Sequence, residues 1–290
     1  MPESQPLKAA AWMMGAVVSF VAMAVAGRAI QLEMNTFELM LYRSLIGFAV
    51  VLAAIGWSAR GFAQVSSTRF SLHLKRNLFH YAGQNLWFYA IAAIPLSQLV
   101  ALEFTNPIWV ALLAPFLLAE PLTRGRVIAA LIGFLGVLVV AQPGQAEIEP
   151  GHLAALAAAV FFALNTIFTK QIMRHDSVLC VIFWMTLLQG AASLALSLPG
   201  GIPAPSAATA PWLLVVGITG LTAHYSVTSA LGYAPATIVA PMEFVRLPLI
   251  ALVGMWVYGE PLRPAVFLGA ALIIAGNLVN LRSETRRRPA

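Results

Sequence analysis

Residues 95–139 and 235–279 carry one pattern twice, at a constant offset of 140 positions with no gap. Pro95 matches Pro235, Glu103-Phe104 matches Glu243-Phe244, and Ala111-Leu112 matches Ala251-Leu252. Glu120-Pro121-Leu122 matches Glu260-Pro261-Leu262, and Gly136 matches Gly276. The matched Glu103 and Glu243 lie inside stretches that otherwise read as membrane-spanning. A carboxylate there is costly, so its recurrence in both halves calls for a reason. Any fold for this chain has to bury two copies of one apolar unit and place a carboxylate within each.

The apolar reading rests on composition: 60% of the residues are hydrophobic and only 10% are charged, against about 25% charged in soluble domains. Mean hydropathy is +0.84. A helix needs about 20 apolar residues to cross the hydrocarbon core. On that rule the spans are 9–30, 36–58, 75–93, 97–118, 124–141, 152–173, 177–198, 211–232, 236–258 and 264–281. The breaks carry turn chemistry, at Ile94-Pro95, Gln142-Pro143-Gly144 and Leu198 to Pro205 among others. The expected fold is therefore an all-α polytopic membrane protein of ten spans. It divides into a first repeat over residues 1–143 and a second over 144–290. Each half holds an odd number of spans, so the second enters the membrane upside down relative to the first, an inverted-topology repeat.

Thirteen of the seventeen basic residues fall on one side of this topology, Arg76 counted among them, which places both termini in the cytoplasm. The same placement argues against nucleic-acid binding despite a net charge of +6, because the cations sit in short loops between apolar spans. The single cysteine, Cys180, has no metal-ligand spacing around it, and no metal or cofactor is expected. No cleavable signal pattern, phosphate-binding Gly-rich loop, nucleophile elbow or dinucleotide fingerprint is present, so the chain does not read as an enzyme.

The candidate chemistry lies on four spans. Tyr81, Gln84, Asn85 and Phe88 share one face of the third, with Trp87 beside them. The 140-residue shift carries this face to His224, Tyr225 and Thr228 on the eighth. Glu103 and Asn106 on the fourth span answer to Glu243 and Arg246 on the ninth. Pro107 and Pro248 should free backbone carbonyls at the same level. Asn165 and Thr166 on the sixth span and Phe20 on the first can complete a cavity, or can serve helix packing. The charges either bind a zwitterion or close internal salt bridges, Glu243 with Arg246 and Glu103 with Arg43. Arg28 reads as a snorkelling anchor and Glu260 as a turn device at a wet helix end. Ala129, Gly133 and Gly136, with Gly269 and Gly276, read as stripes for close helix packing.

The repeated Glu-Phe, Pro, Glu-Pro-Leu and Gly pattern in ten spans resembles the EamA-type members of the drug/metabolite transporter superfamily, over essentially the whole chain. The second copy has the family's Gly-Glu at Gly259-Glu260, where the first has Ala119-Glu120. The resemblance implies a secondary carrier of small metabolites in the bacterial inner membrane, working by alternating access. The closest fit is to exporters of aromatic and neutral amino acids of the YddG type. In that reading Arg246 meets a carboxylate, Glu103 or Glu243 an ammonium, and Tyr81, Trp87 and Tyr225 an apolar side chain. Uptake of a vitamin or nucleoside-like metabolite is the alternative within transport, and a non-transporting scaffold or channel the alternative outside it. The expected partners are a small-molecule substrate and the lipid bilayer, with the chain possible as a monomer.

Overall fold

The computed structural model describes residues 5–65, 68–118, 123–142, 148–233, 239 and 242–285. Glu120-Pro121-Leu122, Pro143-Gly144, Pro235 and Arg286 to Arg288 lie outside them. The described chain is helical throughout: α1 Pro6–Ile30, α2 Thr36–Trp57, α3 Phe70–Ala93, α4 Leu96–Glu103, α5 Asn106–Leu118, α6 Arg124–Ala141, α7 Pro150–Ile172, α8 Val178–Ser197, α9 Ala210–Tyr233, α10 Arg246–Tyr258 and α11 Pro264–Thr285. Among the described residues six helices, the stretch Leu96–Leu117 taken as one, are long and apolar enough to cross a bilayer. Shorter apolar helices run over Val127–Ala141 and Pro264–Asn280. The chain is a multi-pass membrane protein.

Local chemistry sets the helix ends. Asn35 caps α2 through its side chain, accepting from Phe37 N and Glu38 N, while Glu38 reaches back to Asn35 N. Ser177 caps α8 by accepting from Cys180 N. Gly259, at φ 65°, closes α10 in a left-handed turn that a side chain would strain. The third helix starts at Phe70, five residues ahead of the sequence expectation. Arg76, counted from sequence among the loop cations, therefore lies inside α3 and is buried.

The expected single fourth span is broken between α4 and α5. Pro107 has no N–H to give and its ring crowds the carbonyl four residues back, at Glu103, so the helix ends there and restarts at Asn106. The freed Phe104 carbonyl accepts a hydrogen bond from Asn277 Nδ2 of α11 at 2.8 Å. The ninth span repeats the device: Glu243–Val245 form a 3-10 turn ahead of α10, with Pro248 in its first turn.

Packing pairs the helices across the two halves. α1 lies along α9, α3 along α7, α2 along α8, α6 along α11, and α4 against α10. The glycine stripes meet as expected on α6 and α11. A Cβ on Gly136 would stand 2.6 Å from the Gly269 carbonyl oxygen, and one on Gly276 2.7 Å from that of Ala129. Only the absence of side chains permits that approach. The main apolar core gathers α1, α3, α4 and α7 around Phe88, Ile91, Leu99 and Leu102.

Candidate functional site

A cavity of about 360 Å³ opens where the two broken helices face α1, α3, α7, α9 and α11. Of the residues singled out from sequence, Gln84, Trp87, Glu103, Asn106, Asn165, His224, Glu243 and Arg246 line it. Thr228 lies on α9, and its side chain falls outside the described residues.

Arg246 is the centre of this cavity's electrostatics. Its Nη2 donates to Glu103 Oε1 at 2.9 Å and lies 3.8 Å from Glu243 Oε1. Glu103 Oε2 accepts from the Trp87 indole N–H at 2.9 Å. The Arg246 guanidinium is flanked by the rings of Phe20 at 4.9 Å and Phe104 at 5.1 Å. Phe104 and Phe244, the matched pair of the repeat, meet edge to face at 5.1 Å. The helix breaks hold these groups in place, because the backbone turns at the residues that carry the charges.

Three amide oxygens of cavity-lining residues, Gln84 Oε1, Asn165 Oδ1 and Asn277 Oδ1, are buried without a hydrogen-bond partner. Asn106 is satisfied on one side, donating to the Ala159 carbonyl at 3.2 Å. Unpaired buried acceptors are costly in a protein interior, and a ligand's N–H or O–H groups would satisfy them. Aromatic and amphipathic rings form much of the remaining wall: Phe20, Phe162, His80 and His224, with the two histidines 6.2 Å apart.

The structure corrects several of the sequence assignments. Arg43 does not pair with Glu103, which Arg246 has taken from the other half of the chain. Arg43 instead packs its guanidinium against Gly220 of α9. Tyr81 is turned toward α8, where Ser193 Oγ donates to its hydroxyl, and Asn85 bonds back to the Tyr81 carbonyl. Tyr225 is 62% exposed and packs edge-on against Trp12 of α1. The error on α3 and α9 is a rotation by one residue, about 100° of helix. The face turned to the cavity is His80, Gln84 and Trp87, and Phe88 packs instead beside Gly27. The 140-residue shift of Gln84 and Trp87 gives His224 and Val227, which line the cavity too.

Sequence reasoning also passed over Phe104, Phe244, Asn277 and Asn280 as cavity residues. For the two asparagines a signal was present: they stand three apart on an apolar helix, where amides need partners. Arg28 and Glu260 were misread in the opposite sense. They form a largely buried ion pair, with side chains 15% and 10% exposed. Arg28 also donates to the carbonyls of Ile91 and Ile94, and Glu260 accepts from Leu96 N at the start of α4.

The EamA-like transporter family matches residues 7–142 and again residues 149–282. A protein of Vibrio cholerae named riboflavin transporter is 30% identical over 288 residues, covering 97% of this chain and 95% of its own length. One of Brucella anthropi with the same name is 31% identical, covering 78% and 81%. An S-adenosylmethionine uptake transporter of Rickettsia prowazekii is 24% identical, covering 88% and 85%. A chain of known crystal structure shares the fold at a TM-score of 0.64 and 21% identity, with 97% of this chain and 99% of that chain covered. These relatives are transporters, and none of the three is named for amino-acid export. The chain belongs to the EamA-like transporter family and hence to the drug/metabolite transporter superfamily.

Proposed function

We propose that this transporter takes up a flat heteroaromatic metabolite of the riboflavin class, by alternating access about the central cavity. The observation that carries the reading is the set of unpartnered amide oxygens, on Gln84, Asn165 and Asn277, within a wall of aromatic rings. A neutral ring system edged with N–H and hydroxyl donors matches both features: the rings take its faces and the amides its edges. The two riboflavin-named relatives at 30% and 31% identity support this substrate class over amino-acid export, the reading favoured by sequence alone. In this mechanism Trp87, Phe20 and Phe162 bear on the ring, and Gln84, Asn106, Asn165 and His224 take its polar edge. Arg246 with Glu103 and Glu243 fixes one end.

The fold reading behind this is ten spans in two inverted five-span units, with residues 1–143 and 144–290 as the halves and both termini cytoplasmic in the bacterial inner membrane. The helix pairing supports it, because exchanging the halves turns the α1–α9 contact into α7–α3 and leaves α2–α8 and α6–α11 unchanged. Two halves related in this way give a bundle two similar packings, one open to each side.

A second reading is uptake of S-adenosylmethionine. Glu243 favours it, since its half-exposed carboxylate stands in the cavity 3.8 Å from an arginine already paired to Glu103, leaving an acidic surplus for a cationic substrate. Proteoliposomes given labelled riboflavin, S-adenosylmethionine and aromatic amino acids separate these readings. Riboflavin uptake that unlabelled riboflavin competes away and phenylalanine does not is the expected result. Transport of amino acids alone overturns it.

A further inference from the structure

Arg76 of α3 is buried behind the cavity wall, and its partners are neutral oxygens: Thr169 Oγ1 at 3.3 Å and Asn77 Oδ1 at 3.0 Å. A guanidinium carries donors alone, so the Asn77 atom that it meets has to be the amide oxygen. The other end of the same amide gives the same answer. Asn77 Nδ2 donates at 2.9 Å to the His73 carbonyl, which accepts and never donates. A reversed Asn77 amide would set donor against donor at one end and acceptor against acceptor at the other.

Gln189 of α8 meets that fixed oxygen. Its side-chain atom 3.1 Å from Asn77 Oδ1 has to donate, so it is Nε2 and not Oε1. The same Nε2 stands 2.7 Å from His80 Nδ1. An amide nitrogen has no lone pair to offer, so Nδ1 accepts and the ring proton of His80 is on Nε2. This orientation leaves Gln189 Oε1 buried without a partner. Reversing the amide would bring two oxygens to 3.1 Å beside Asn77, which is the worse arrangement. Arg76, Asn77, Gln189 and His80 form one row of hydrogen bonds whose direction is set at the arginine.

The row ends at the cavity. His80 lines it, whereas no described residue of α8 does, so Gln189 holds the ring from behind. His80 Nε2 has no partner among the described residues, and unlike His73 Nδ1 it is not sealed off from accessible space. The rings beside it, Phe162 at 6.0 Å and His224 at 6.2 Å, belong to the cavity wall as well. Gln84 follows His80 by one turn of α3, and its Oε1 is unpaired. The wall offers an N–H donor one turn from a vacant acceptor.

We propose that His80 is a specificity-determining residue of this cavity, held by the Arg76–Asn77–Gln189 row as an Nε2–H donor to a carbonyl oxygen of the substrate. Gln84 accepts from an N–H next to that carbonyl. The ligand chemistry is an amide or imide edge, a C=O beside an N–H, which a flavin ring carries and a free amino acid does not. For its ligand the inference rests on the riboflavin-class reading of the cavity, but the direction of the row does not. Arg76, Asn77 and Gln189 are positioning residues that act through His80.

The first measurement needs no substrate. Nuclear magnetic resonance of the full chain in detergent, with isotope-labelled histidine, shows which ring nitrogen of each histidine carries the proton. The His80 signals are identified by their loss in His80→Phe, or in His80→Gln where the first variant does not fold. We expect the proton on Nε2 and a bare Nδ1, and a proton on Nδ1 overturns the proposal. The second measurement is riboflavin affinity, read from the quenching of flavin fluorescence. His80→Phe keeps a ring and loses one hydrogen bond, so it should weaken binding by about tenfold. Gln189→Leu should weaken binding by about threefold, and should add nothing further in the His80→Phe background. Unchanged affinity in His80→Phe overturns the donor role. A Gln189→Leu loss that persists without the imidazole makes Gln189 structural and overturns the row. Should riboflavin not bind the wild type at all, the substrate reading fails, and the ring nitrogens alone decide this one.

Discussion

Two arginine–glutamate pairs cross between the halves of the chain, Arg246 with Glu103 and Arg28 with Glu260. Their partners are alike and their valences are not. In the Arg28 pair every group is used: Nε and Nη2 bond backbone carbonyls, Nη1 bonds Glu260, and the second Glu260 oxygen takes Leu96 N. The guanidinium also lies over the Tyr258 ring at 4.7 Å. The network is closed and joins α1, the α3–α4 junction and the end of α10. In the Arg246 pair Nε has no partner, and Glu243 stands by at 3.8 Å with its side chain 39% exposed. The cavity wall beside it holds further unpaired amide oxygens. A satisfied polar network rigidifies a fold, whereas one with spare valences has something left for a ligand. The difference separates a fastening from a binding group within one class of interaction.

The largest effect is expected at the open pair. Truncating one partner of a buried, hydrogen-bonded charge pair in a binding site costs about 2–5 kcal/mol of binding, which is about 30-fold or more. Arg246→Gln should therefore reduce riboflavin uptake by at least about 30-fold in proteoliposomes with matched protein content. Part of any loss of stability comes from the Glu103 charge left behind, so the double variant Glu103→Gln with Arg246→Gln should recover the melting temperature and still not transport. If the double variant transports like the wild type, the pair is a fastening too and the contrast collapses.

Glu260→Gln should do the reverse. It leaves the Arg28 guanidinium buried without its acid, at a cost of about 3 kcal/mol, or roughly 10 °C in melting temperature for a chain of this size. Uptake per folded molecule should stay within about twofold. The sequence reading put Glu260 at a wet end where replacement is harmless, and thermal unfolding in detergent decides between the two. Unchanged stability with lost uptake would assign this pair to transport.

How far the sequence could be read follows from the kind of signal each residue leaves. The apolar spans, the glycine stripes and the carboxylate at the same place in both halves are patterns of type and spacing, and they were legible. The break at Glu103–Asn106 was legible from Pro107, because the lost N–H is written in the residue itself. Partner choice was not. Arg43 and Arg246 are both buried arginines that could reach Glu103, and which of them does so depends on how α2 and α10 sit in three dimensions. Rotation about a helix axis was equally hidden. Tyr81 and His80 are both polar aromatics on α3, so the pattern permits either face, and only packing against α7 and α9 chooses His80. Arg28 looked like a surface anchor because its acceptors are backbone carbonyls, which no sequence displays.

A smaller effect sharpens the comparison from the side of the helix break. Asn277 Nδ2 satisfies the Phe104 carbonyl next to Glu103, while its Oδ1 is unpaired at the cavity. Asn277→Ala orphans that carbonyl at a cost of about 1–2 kcal/mol in stability and removes one cavity acceptor. Uptake should weaken by about tenfold in apparent affinity with the maximal rate less changed. Asn277→Asp keeps an acceptor but loses the donor, so it should restore affinity more than stability. A variant pair that moves both quantities together removes the cavity role of Asn277.

The smallest effect belongs to a carboxylate with no arginine at all. Glu33, in the connection between α1 and α2, accepts from the Ser206 N–H at 3.0 Å, the Ser206 hydroxyl at 2.7 Å and the Thr209 hydroxyl. These donors, the Thr209 hydroxyl foremost, hold its carboxyl below the ordinary carboxylate range. A depressed folded pKa means that its stabilising contribution is complete above the ordinary value and is lost as the pH falls through the depressed one. Glu33 is exposed, so the contribution is small, about 1–2 °C of melting temperature at neutral pH. Glu33→Gln should lower the melting temperature by that amount at pH 7, and the gap should close as the pH approaches 4 and below. Salt should leave the gap nearly unchanged, because neutral donors make these bonds and there is no opposite charge to screen. A gap that stays constant down to pH 4 would show that the hydroxyls hold the protonated acid equally well. The closed and open arginine pairs would then have to be compared without this uncharged reference.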